Sequence, residues 1–180
     1  MIGFLRFVGV INVAIWLGGA VFLTFAGRPA LFSPEMQSLL EAKNFPYFSG
    51  AIAQVVLERY YSFHLVCGVI AFLHLLAEWL YFGRPGRKLS FSLLIGLFVL
   101  TLIQGNWVQA RMKAYHTTRY AVNVPAAERD AAAASFRSWE SVWHLFNLLM
   151  IAGLTAHLWR VANPSDNLRF VSSVKFRGGP

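Results

Sequence analysis

Four of the five histidines, His64, His74, His144 and His157, lie inside long apolar stretches. An imidazole at membrane depth needs a hydrogen-bond partner, an ion, a cofactor or a water-filled cavity. As a neutral metal ligand it places one ring nitrogen on the metal while the other donates to a nearby acceptor. Two such rings on different helices suit a haem b, held as an electron carrier with no open coordination position. The leading expectation is a haem b-binding membrane subunit, with His64 and His144 on the iron, passing electrons within a larger complex. It would be an electron-transfer or structural subunit rather than an enzyme by itself.

His64 and His144 enter their apolar stretches by four to five residues, roughly 6 to 8 Å below one surface at about 1.5 Å per residue. Gly68, one helical turn beyond His64, leaves room for a macrocycle. Arg59, Arg111 and Arg137 stand at the water-facing ends of the second, third and fourth stretches. Guanidinium groups there clamp propionates or serve as interfacial anchors. His74 and His157 form a possible site for a second haem. They are rotated by about −80° and −140° from the first pair at roughly 100° per residue, so such a site needs tilt or a kink.

Glu78, one turn after His74 and level with His157, offers these inner histidines another role, as a bonded cluster that is structural or relays protons. For His64 and His144 the plainer alternative is hydrogen bonding to Asn12, Gln104, Asn106 or Asn147, worth only about 0.6 kcal/mol per bond in a membrane. Asn147, three residues after His144, is placed to orient it. Without haem, the competing class is a cofactor-free scaffold or assembly subunit, or a permeation protein for small solutes or metals.

The elements that position these residues follow from composition. Hydrophobic residues make up 57%, charged residues only 13%, and mean hydropathy is +0.51. Soluble domains carry about 25% charged residues, so the solvent of this chain is a lipid bilayer. A length of 180 residues holds about four spans of roughly 20 residues and no separate catalytic domain. The net charge of +8 is scattered over span ends, which favours lipid headgroups or haem propionates over nucleic acid. Cys67 is the single cysteine and forms no intrachain disulfide. No nucleotide-binding glycine loop, zinc spacing or nucleophile elbow is present.

Hydropathy predicts an all-α integral membrane four-helix bundle over residues 1–163. Its spans fall at about 4–25, 60–81, 89–108 and 139–161, and a polar basic tail covers 164–180. Gly27-Arg28-Pro29 reads as the end of the first span, because Pro29 disfavours helical geometry at Arg28. Residues 47–58 are expected to precede the second span as a helix that projects into water or lies at the interface. Gly83 to Lys88 form a turn, and Pro125 stands where the fourth helix begins. The cluster Arg84, Arg87, Lys88 in a short turn predicts that both termini are cytoplasmic, which a C-terminal reporter reads directly, and the expected location is a bacterial inner membrane. Partners would be other membrane or periplasmic subunits.

Several motifs carry a resemblance: Trp16-Leu17-Gly18-Gly19 with Phe22, Pro29-Ala30-Leu31-Phe32, Phe45-Pro46-Tyr47-Phe48, and Phe136 leading to Asn147-Leu148-Leu149. With them the chain resembles a widespread family of small four-span membrane proteins built on a domain of unknown function and related to eukaryotic transmembrane protein 205. The resemblance covers most of the chain and implies a four-helix bundle with no established activity. The chain departs from it at Glu140, where the family often shows histidine, and over residues 51–61, which look like an extension. Histidines on the second and fourth helices are also similar in plan to membrane cytochromes b, by analogy only, since the spacings differ.

Overall fold

Within hydrocarbon every backbone N–H and C=O must be bonded inside the protein, so apolar runs of this length fold as helices. The computed structural model describes residues 2–82 and 88–163. Its elements are α1 (Ile2–Phe22), a π-helical turn (Leu23–Gly27), α2 (Arg28–Leu31), α3 (Pro34–Leu40) and α4 (Phe45–Phe82). They continue with α5 (Lys88–Ile103), a second π-helical turn (Gln104–Val108), α6 (Gln109–Tyr120) and α7 (Ala126–Ala162), with no strand among the described residues. Four helical rods are long and apolar enough to cross a membrane. The fold is the expected all-α membrane bundle. Of the predicted turn at 83–88 only Lys88 falls within the described residues; Arg84, Arg87 and the tail 164–180 lie outside them.

The α1 rod packs against α4 and α7, and the α5–α6 rod packs against the same two. The helices therefore form a square with α4 and α7 on one diagonal. Its core has two parts. Trp16, Ala20, Cys67, Ala71, Leu94, Leu97, Met150 and Leu154 fill one half. Leu23, Leu57, Tyr60, Tyr61, Val108, Met112 and Trp143 fill the other. On α7 the buried face runs Trp143, Asn147, Met150, Leu154, His157, Val161, alternating steps of four and three as in a packed helical seam.

Two sequence expectations are corrected. The first rod does not stop at Gly27-Arg28-Pro29: Arg28 is helical (φ −70°, ψ −47°), and its N–H bonds the carbonyl of Leu23. That five-residue step widens the turn, so the ring of Pro29 avoids the carbonyl it would meet in an α-helix. The rod continues to Leu31 and carries Arg28 back toward α7. His64 and His74 also share a face, both being buried on α4. At the 3.5-residue repeat of a packed seam, ten residues leave an offset of only about −50°, within the width of a buried stripe.

The helix expected before the second span is present and continuous with it. Helix α4 has 38 residues, roughly 57 Å at about 1.5 Å per residue, against a hydrocarbon core of about 30 Å. Pro125 caps α7 as expected.

Candidate functional site

Polar side chains gather in two layers of the bundle. The outer layer lies at the level of the two π-helical turns. Thr24, on the first of them, donates to the Ala20 carbonyl at 2.7 Å and accepts from the Asn147 amide. Asn147 in turn accepts from the Tyr60 hydroxyl at 2.6 Å. Beside it the Trp143 indole N–H donates to the Tyr61 hydroxyl at 2.8 Å. These bonds tie α4 to α7 across the diagonal. A buried polar chain of this kind stays in place because each broken bond would leave an orphan in a dry core.

His64 sits in this layer, 1% exposed. Its ring lies 4.0 Å from that of Tyr60 and 5.8 Å from those of Trp16 and Phe63. Neither of its ring nitrogens has a hydrogen-bond partner, and Gln104 Oε1 is likewise buried without one. His144 engages different neighbours. It follows Trp143 by one residue and so falls off the buried seam, is exposed, and meets the Arg28 guanidinium through Nε2. Arg28 also pairs with Glu140 and lies over the rings of Trp143 (4.7 Å) and Phe32 (5.8 Å). A side chain added at Gly68 would meet Phe98 and Trp16 at 3.0 and 3.4 Å, so those rings occupy the space next to it. Arg59, Arg111 and Arg137 are all exposed.

The asparagines make bonds other than those expected of them. Asn12 donates to the Cys67 carbonyl at 2.9 Å and Asn106 to the Leu102 carbonyl at 3.1 Å. Asn147 is fully buried and turned to Tyr60 and Thr24, away from His144.

The inner layer lies at the end of the bundle where α1 and α5 begin and α4 and α7 finish. His74, Glu78 and His157 line one cavity of about 10 Å³ together with Gly9, Ser90 and Val161, close to the smallest volume that holds a water, roughly 10 to 15 Å³. His74 bonds the Leu5 carbonyl through Nε2 at 2.8 Å, and Arg160 donates to the Ser90 hydroxyl at 3.0 Å. Gly9 makes this approach possible, since any side chain there would overlap the His74 ring. His74, Glu78 and His157 lie four to eight positions from their helix ends, roughly 6 to 12 Å deep. The structure thus brings the inner pair to one cavity with Glu78 and sets His64 and His144 among separate neighbours.

Between the layers Trp16, Leu94, Leu97, Met150 and Leu154 are all 3% exposed or less. Among the described residues no group of three or more His, Cys, Asp or Glu side chains could hold a metal ion.

Sequence reasoning missed Arg28, Glu140, Thr24, Tyr60, Tyr61 and Ser90. Arg28 was hidden by the apparent helix end, and the others are residue types that span ends and lipid-facing helices use freely. It also passed over His116, which lies outside the apolar stretches yet is only 6% exposed.

The sequence matches the family described as a domain of unknown function (DUF4149) over residues 11–121. That stretch holds His64, His74, Glu78, His116 and both π-helical turns, while α7 with His144 and His157 lies beyond it. No curated protein and no solved structure matches the chain.

Proposed function

The chain belongs to the DUF4149 family, and from that premise we propose that it is a membrane subunit that takes up and releases protons from one face of the bilayer. The observation behind this reading is the convergence of two imidazoles and a carboxylate, from diagonally opposed helices, on one water-sized cavity. Ionisable groups at such depth are costly and are retained where they pair or work. A carboxylate and two imidazoles lining one cavity offer three groups able to hold a proton there. A proton taken up at Glu78, His74 or His157 returns to water by the same route. The apolar belt of Trp16, Leu94, Leu97, Met150 and Leu154 supports exchange with that face alone, because a dry constriction blocks water and ions.

Purified protein in lipid nanodiscs should take up more protons on acidification than its Glu78→Gln variant, and His157→Gln should fall between them. Proteoliposomes of all three should show no protein-dependent proton leak. Equal uptake by wild type and Glu78→Gln, both folded by circular dichroism, would remove the proposal, and a leak through the wild type would remove its one-sidedness.

One observation favours a second reading, a haem b on His64: both ring nitrogens of this buried side chain are without partners. It requires His144 to exchange Arg28 for iron and the rings of Trp16, Tyr60 and Phe98 to open a slot. Under it, protein supplemented with haem gains a Soret band that His64→Ala abolishes. Absence of the band in the wild type ends this reading.

A further inference from the structure

The ends of α4 and α6 that project beyond the hydrocarbon border an open cavity of about 440 Å³, lined by Tyr47, Gln54, Glu58, Lys113, His116 and Tyr120 among others. Small-molecule sites occupy roughly 300 to 1,000 Å³. At the end nearer the membrane, Lys113 Nζ donates to Glu58 Oε1 at 3.1 Å, and both side chains are more than half exposed. A pair this open opens readily to other partners.

The opposite end is built from aromatic rings. His116 stacks on Tyr47, with ring centroids 5.5 Å apart, and lies 5.0 Å from the ring of Tyr120. The Tyr120 hydroxyl donates to the Pro46 carbonyl at 2.8 Å and fixes that wall. His116 also hydrogen-bonds the backbone of Tyr47, and burial keeps its basicity below the ordinary imidazole value. Its Nε2 is packed against Gly50 and buried without a hydrogen-bond partner, as is the side-chain amide nitrogen of Gln54. Gly50 gives the ring its place, because any side chain there would overlap Nε2.

These groups define the missing occupant. Gln54 and Lys113 need an acceptor, preferably an anion. Glu58 and the faces of Tyr47 and Tyr120 suit a donor, preferably an ammonium. We propose that this cavity binds a small zwitterion in which a primary ammonium lies a few bonds from a carboxylate or phosphate. Binding opens the Glu58–Lys113 pair, the carboxylate turning to the ammonium and the Lys113 ammonium to the anionic group. The inference does not depend on the proton reading, since the two sites share no residue.

Such chemistry is found in free solutes and in ethanolamine lipid headgroups. The cavity extends from Glu58 to Tyr47, eleven residues or roughly 16 Å along α4, whereas a headgroup layer is only about 5 to 8 Å deep. A water-borne solute is thus the favoured source.

The probe is O-phosphoethanolamine, titrated calorimetrically into the full chain in nanodiscs of phosphatidylglycerol. Binding is expected, and Glu58→Gln and Lys113→Gln should each weaken it about tenfold or more, the loss typical of a charged hydrogen bond. Ethanolamine alone and inorganic phosphate alone should each bind more weakly than the zwitterion. Both substitutions are on exposed side chains, so folding is retained. In phosphatidylethanolamine discs, unchanged binding identifies the free solute as the source, and competition identifies the lipid. No binding, binding unaltered in both variants, or phosphate binding as tightly as the zwitterion would overturn the proposal.

Discussion

Trp143→Ala is expected to destabilise the bundle by about 2 to 4 kcal/mol, read as a fall in the unfolding midpoint in detergent. The indole is fully buried, donates to Tyr61 and carries the Arg28 guanidinium on its face. In a water-soluble core, truncating tryptophan costs about 3 to 5 kcal/mol, part of it the transfer of apolar surface out of water. Here that part shrinks, because lipid is as apolar as the bundle interior, and the remaining cost is the cavity and the lost contacts. Trp143→Phe separates the contributions. It keeps most of the ring and orphans the Tyr61 hydroxyl, so its cost should be about 1 kcal/mol. A Trp143→Ala protein within about 1 kcal/mol of wild type would contradict this account of the core.

Arg28→Ala should cost about 1 to 3 kcal/mol, between the ranges for exposed and for buried ion pairs. The Arg28 side chain is 12% exposed and that of Glu140 is 32%. A carboxylate left behind at Glu140 relaxes partly into water, which limits the penalty. Arg28→Ala/Glu140→Ala should therefore recover some of the stability lost in the single variant. Arg28→Ala and Trp143→Ala share the cation–π contact, so their costs should sum to more than that of the double variant. Strict additivity, or Arg28→Ala matching wild type, would mean that α2 is held to α7 by packing alone.

Arg28 also shows why part of the site was hidden in the sequence. Gly27-Arg28-Pro29 has every local mark of a helix end, yet a single widened turn carries the rod through it and returns Arg28 to the bundle. A π-helical turn has no strong composition signal, so neither Leu23–Gly27 nor Gln104–Val108 was legible. The register of α7 was hidden for a related reason. Trp143 and His144 are neighbours about 100° apart, and which of them faces the core depends on how the partner helices pack. His74, Glu78 and His157 were easier, because a charged residue among apolar ones draws attention and depth can be counted from the span ends.

The number of helices and the overrun of α4 past the bilayer were written locally, in runs of apolar side chains and in prolines such as Pro125. Backbone hydrogen bonding in lipid leaves such runs one conformation, so no distant contact was needed to read them. Which histidines meet was a different matter. Rotation of each rod about its axis is set by the interlocking of four helices, by the two widened turns and by bonds such as Tyr60 to Asn147. Each of these joins positions far apart in the chain, and only their packing together turned His157 inward and His144 out.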